Sequence, residues 1–164
     1  MAATRRTPES VRFDLLISER EVPAAQADFW SALEAATVYI AGYGWCPPIR
    51  ERYLGHLEAG KLALFLFAFE TPVGDADEYL WVVVGDLPPA HFVTQAAPTP
   101  ARAMDAYCTL MEDWVEAVRS GRGLESCFPI DTDPTPRQAD LLLRRMDYIR
   151  EEILQHVAGA EPPK

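Results

Sequence analysis

Two apolar runs, separated by a short acidic loop, restrict this chain more than any other stretch. Residues Lys61–Asp86 read KLALFLFAFE, TPVGDADE and YLWVVVGD. Leu62–Phe69 is eight residues of apolar side chains, and Tyr79–Val84 is six more, rich in the aromatic and β-branched types that pack well on a pleated surface. Neither run alternates with polar residues, so both faces of each are expected to be covered, as in central strands. A membrane-spanning helix needs roughly 20 apolar residues, so Leu62–Phe69 is too short to cross a bilayer. The connection Glu70–Glu78 carries Pro72, Gly74, Asp75, Asp77 and Glu78, a composition that turns and stays wet. An antiparallel pairing is the simplest joining of the two runs.

The remaining elements arrange themselves around that pair. Met1–Ser10 reads as a tail, and Val11–Ser18 as a strand or the first turns of a helix. Pro23 opens a helix over 24–40 whose apolar residues Phe29, Trp30, Leu33, Ala36, Thr37 and Ile40 recur at spacings of three and four. Gly42-Tyr43-Gly44 ends it. A shorter helix over Ile49–Glu58, stopped by Gly60, is expected next. His91–Val93 can add a short edge after Pro88-Pro89 breaks the second strand. Thr99-Pro100 and Thr135-Pro136 each suit an N-cap followed by the first helical position, so they open two further helices. The first buries Met104, Tyr107, Cys108, Met111, Trp114, Val115 and Val118. The second buries Leu142, Leu143, Met146, Ile149, Ile153 and Val157. The expectation is therefore one α+β domain over residues 11–159, with a small antiparallel sheet built on a central hairpin at 61–86. About four α-helices pack on it, and a short tail follows at 160–164.

Charge and cysteine usage exclude several classes. The 164 residues carry a net charge of −10, which argues against non-specific binding to nucleic acid or to an anionic membrane, because both need a basic surface. Cys46, Cys108 and Cys127 are odd in number and far apart, the pattern of reduced intracellular thiols rather than a disulfide framework. MAATRRTPES has no apolar segment behind its arginines, so no signal peptide is read and a cytoplasmic location is expected.

Motifs that commit a reaction are missing. Trp45-Cys46-Pro47-Pro48 resembles the thioredoxin-like redox motif, in which a helix N-terminus lowers a thiol pKa, but the second cysteine is absent and no βαβ pattern surrounds it. A cysteine beside a rigid turn is the ordinary reading. His56, His91 and His156 are scattered, and neither H-E-x-x-H nor paired C-x-x-C occurs, so no metal is expected. Asp75-Ala76-Asp77-Glu78 lacks the spacing of a calcium loop and reads as solvated charge. Glycine-rich phosphate loops and G-x-S-x-G are absent, and Cys108 lies on an apolar stripe. No cofactor and no catalytic residue is expected.

Two kinds of residue remain as candidate contacts. Tyr43 and Trp45 flank a glycine in a loop, and exposed Tyr and Trp are favoured interface anchors. Asp75, Asp77 and Glu78, with Asp105, Glu112, Asp113 and Glu116 on one helix face, form acidic surfaces. The run Tyr79–His91, followed by Thr99-Pro100-Ala101 and the Trp114 helix, resembles small acidic bacterial proteins of the toxin-immunity type. That resemblance implies a cytoplasmic α+β protein without catalytic residues that binds another protein, often a basic toxin domain. The reading that follows is a non-enzymatic immunity or antitoxin-type protein that occludes a toxin, meeting its partner through charge-assisted encounter. A thiol-dependent protein centred on Cys46, and a homo-oligomeric structural or adaptor protein, are the alternatives.

Overall fold

The two apolar runs lie side by side as antiparallel strands, with Leu62 opposite Gly85 and Ala68 opposite Tyr79. A computed structural model describes residues 11–75 and 77–162. The tail expected over 1–10 and the last two residues of the one expected over 160–164 lie outside the described residues. In chain order the elements are β1 (Ile17–Ser18), α1 (Ala27–Ala41), β2 (Ile49–Glu58), β3 (Leu62–Phe69), β4 (Tyr79–Gly85), β5 (Ala90–Val93), α2 (Pro100–Ser120) and α3 (Pro136–Tyr148). The C-terminal helix continues from α3 through a π-helical stretch, Ile149–Leu154, to α-helical Gln155–Ala160. Counted this way the described residues hold three helices, not about four, and the sheet has five antiparallel strands in sequential order. The α+β class holds. The Val11–Ser18 stretch resolves into a 3₁₀ turn over Phe13–Leu15 and the two-residue β1. The chain divides into two compact units, Met1–Pro100 and Ala101–Lys164.

In the first unit, every residue of β3 is buried, as is β4 from Tyr79 to Val84. On one face Ala63, Phe65, Phe67, Phe69, Leu80, Val82 and Val84 pack with Phe29, Leu33, Ala36 and Ile40 of α1. On the opposite face Leu64, Leu66, Ala68, Trp81 and Val83 are equally withdrawn, and the Trp81 indole N–H donates to the Ala97 carbonyl at 2.9 Å. Non-alternating sequence and two-sided burial thus agree.

The helix expected over Ile49–Glu58 is instead β2, paired with β3 along its length. Two register shifts, between Ile49 and Glu51 and between Leu54 and His56, explain why its period was hidden. Each bulge adds one residue to the strand, so the side chains that share the α1 face, Ile49, Arg52, Leu54 and Leu57, fall at spacings of three, two and three. Threes are what a helix shows. The second bulge falls at Gly55, where a Cβ would sit 3.2 Å from the Leu64 side chain and carbonyl. Arg52 is fixed by a two-pronged ion pair with Glu19 and donates to Thr37 Oγ1 at 3.0 Å.

Within the second unit, α2 buries Met104, Tyr107, Cys108, Met111, Trp114 and Val115, and the C-terminal helix buries Leu142, Met146, Ile149 and Ile153. Thr135 caps α3 by accepting from the Gln138 N–H, with Pro136 in the first helical turn. The two helices run antiparallel, tied by polar links at both ends. Arg119 pairs with Asp140 near one end. Arg150 reaches Asp105 at 2.7 Å and Glu112 at 2.7 Å towards the other, where Glu161 also accepts from the Ala101 N–H.

Gly85 is the tightest point of the hairpin. Its φ is +147°, and a Cβ there would lie 2.3 Å from the Lys61 carbonyl oxygen, whose partner is the Asp86 N–H. Gly85→Ala is expected to lower the unfolding free energy by about 2–3 kcal/mol in urea titrations. Gly44→Ala, where no atom lies within 4 Å, serves as the control and is expected to stay within ~0.5 kcal/mol of wild type. Equal stability of the two variants would refute the close approach.

Candidate functional site

Tyr39 and Tyr43 stand four residues apart at the end of α1, so their rings meet edge to face at 5.6 Å. The chain then turns through Gly44, and Trp45 folds back to stack on Tyr43 at 5.1 Å with an interplanar angle of 27°. A fourth ring arrives from the far edge of the sheet. His91 of β5 pairs with Val82 of β4, which points to the α1 face, and the register delivers its imidazole 4.9 Å from Tyr43 and 5.2 Å from Trp45. Tyr39 Oη lies 2.8 Å from His91 Nδ1, and the Tyr43 hydroxyl donates to the Tyr39 hydroxyl at 3.4 Å.

Protonation states follow from burial. Burial holds His91 below the ordinary imidazole range, so the ring is neutral at pH 7. Burial, aided by the Tyr43 hydroxyl, pushes Tyr39 up, so its proton stays on oxygen. Tyr39 is therefore the donor and Nδ1 the acceptor. The result is a rigid aromatic platform with a polar seam. Trp45 is still 45% exposed despite its stacking, which separates it from the core tryptophans Trp81 and Trp114. Flat rings held in place, with polar tips, are suited to recognition.

Tyr39 also lines a cleft of about 540 Å³ bounded by α1, the β2–β3 turn and the β4–β5 connection.

The acidic candidates do not form one surface. Asp75 is exposed, but Asp77 is turned inward, accepting from the Tyr79 N–H and from Thr94 Oγ1, each at 2.9 Å. Glu78 is 4% exposed, so it is not part of a wet loop. Its Oε2 lies 3.7 Å from Arg50 Nη2, and Arg50 donates to the Tyr79 hydroxyl at 3.2 Å. The Arg50 side chain comes from the first β2 bulge, an unpaired position that composition does not reveal. In the second unit Asp105 and Glu112 are taken by Arg150, while Asp113 and Glu116 are exposed. Cys46 is followed by strand β2, not by a helix, so no helix N-terminus acts on it. Burial raises its thiol pKa, and the thiol donates to the Pro47 carbonyl at 3.4 Å. Cys108 is buried and raised to about 12. No group of three or more His, Cys, Asp or Glu side chains able to hold a metal ion occurs among the described residues.

Of the platform, Tyr43 and Trp45 were legible as a loop pair, whereas His91 and Tyr39 were not. Ala90-His91-Phe92-Val93 is only four residues long and does not alternate, so it gives no signal of the face that His91 takes. No helix among the described residues is long and apolar enough to cross a membrane. Comparison with protein-family models, curated proteins and solved structures finds no match for this chain.

The Tyr39 hydroxyl stabilises a lone pair that protonation of His91 would consume. Tyr39→Phe removes that bond but not the burial, so the His91 pKa is expected to rise while staying below the ordinary imidazole range, measured by NMR titration of the ring protons. An unchanged or lower value would show that the hydrogen bond does not hold the neutral tautomer. Burial makes His56 and His91 both titrate lower in the fold than the ordinary imidazole value of about 6.5, so as pH falls the unfolded chain takes up these protons first. Their effect on stability is nil above about pH 6.5 and destabilising below it, and it levels off beneath the depressed folded values. His91→Gln is expected to flatten part of that loss between pH 7 and 5 in urea titrations.

Proposed function

We propose that the chain is a non-enzymatic protein-binding protein of the immunity or antitoxin type, neutralising a bacterial toxin by occlusion. The observation that supports this reading best is the exposed Trp45, stacked on Tyr43 and braced by His91. Interface energy concentrates in a few Trp, Tyr and Arg side chains, and an anchor already held in one rotamer loses little entropy on binding. The net charge of −10 would speed the encounter with a basic partner. In this reading Tyr43 and Trp45 are the anchors, Asp75 is an exposed acid near at hand in sequence to the hairpin, and Asp113 and Glu116 add to the field. Asp105, Glu112, Asp77 and Glu78 act structurally.

The test is co-expression with the protein encoded beside it, followed by purification of the complex and titration. Trp45→Ala is expected to weaken binding roughly 10- to 100-fold while leaving the unfolding midpoint unchanged. Absence of a complex, or a Trp45→Ala, Tyr43→Ala double variant that binds as tightly as wild type, would sink the reading.

A further inference from the structure

The cleft of about 540 Å³ has the size of small-molecule sites, which run from about 300 to 1,000 Å³. It is open because α1 turns small residues towards it. Ala32 and Ala35, one turn apart, face Ala63 and Val84 of the sheet across the space, giving an apolar floor. The charged lining is uneven: Asp28, Glu58 and Asp86 are set against Lys61 alone. Lys61 and Asp86 already have interaction partners of their own. Among the described residues Asp28 has no ion-pair partner. The nearest candidate for Glu58 is His56 Nε2 at 3.8 Å, and burial keeps that imidazole below its ordinary pKa, so it is uncharged at pH 7. Two carboxylates therefore face the cleft without a matching cation.

We propose that this cleft binds an organic cation, a primary ammonium or guanidinium on a short aliphatic stem, with Asp28 and Glu58 taking the head and the Ala32–Ala35–Val84 floor taking the stem. An anion would meet an excess of negative charge. A neutral apolar ligand would strip water from two carboxylates with nothing in return. A bare metal ion lacks the ligand cluster it would need. A cation with a stem satisfies both halves of the lining, by charge in a partly dry cleft and by apolar area. The inference stands apart from the aromatic platform: Tyr43 and Trp45 do not line the cleft. The same chemistry is offered by a free alkylamine and by a lysine or arginine side chain of a partner protein.

The full chain is titrated by calorimetry and by NMR with pentylammonium and pentylguanidinium, and with pentanol and pentanoate as neutral and anionic counterparts. The cations are expected to saturate the cleft with a Kd on the order of millimolar, as ligands of about six to nine heavy atoms allow. Asp28→Asn and Glu58→Gln are each expected to weaken that binding roughly fivefold to tenfold. Glu34→Gln, an exposed acid of α1 outside the lining, is expected to leave it unchanged. A capped Lys-containing tripeptide distinguishes the sources: binding as tight as pentylammonium assigns the cleft to a protein side chain, and weaker binding assigns it to a free cation. The proposal is overturned if pentanol or pentanoate binds as well as the cations, if the cations do not saturate, or if neither Asp28→Asn nor Glu58→Gln weakens them.

Discussion

A strand whose side chains are buried above and below has no water on either face, so each backbone N–H and C=O must find a partner along its edges. The β3–β4 pair is in that position over almost its whole length. One free edge on each strand then remains to be covered, and β2 and β5 are the answers. This requirement explains the five-stranded meander better than any local propensity does. It also explains the shape of the sheet's margin, where β1 has two residues and β5 four, short edges that offer little to a stray strand. The functional candidates are by-products of the same demand. β5 is present to satisfy β4, and in doing so it sets His91 beneath the end of α1. β2 is present to satisfy β3, and its first bulge sets Arg50 beside Glu78.

The hairpin and the three helices were legible because their signals are local: unbroken apolar runs, spacings of three and four, and the Thr-Pro openings. β2 was not, because its bulges at Arg50 and Gly55 convert a two-residue period into threes. The acidic loop was misread for a different reason. Composition records that Asp77 and Glu78 are charged, but not that Tyr79, Thr94 and Arg50 wait for them. The aromatic platform was half visible. Tyr43 and Trp45 stand out as loop aromatics, while His91 joins them only through strand register, a long-range property of the sheet. The thiol reading of Cys46 depended on a helix at 49–58 and has no such support once that segment is a strand.

The first unit thus presents two features of different character that share Tyr39. One is a set of rings fixed in place and partly open to solvent. The other is a hollow with an apolar floor and an excess of carboxylates. Both suit recognition by charge and shape. The second unit contributes a pair of antiparallel helices joined by the ion pairs of Arg119 with Asp140 and of Arg150 with Asp105 and Glu112.

The two bulges of β2 have a consequence for how the chain can vary. Each one swaps which side chains look up and which look down, so passing both restores the original parity. Ile49 and Leu57 share a face because the two extra residues between them cancel, whereas a single one would set them on opposite faces. Loss of a single residue there would invert one end of the strand against the other, exposing Leu57 or turning Arg52 away from Glu19 and Thr37. Loss of both would leave the two ends in phase, with Arg50 gone and Glu78 buried alone. Length changes in this strand are therefore tolerable in pairs for the fold, yet not for the buried charge, and the bulged form is the one arrangement that serves both.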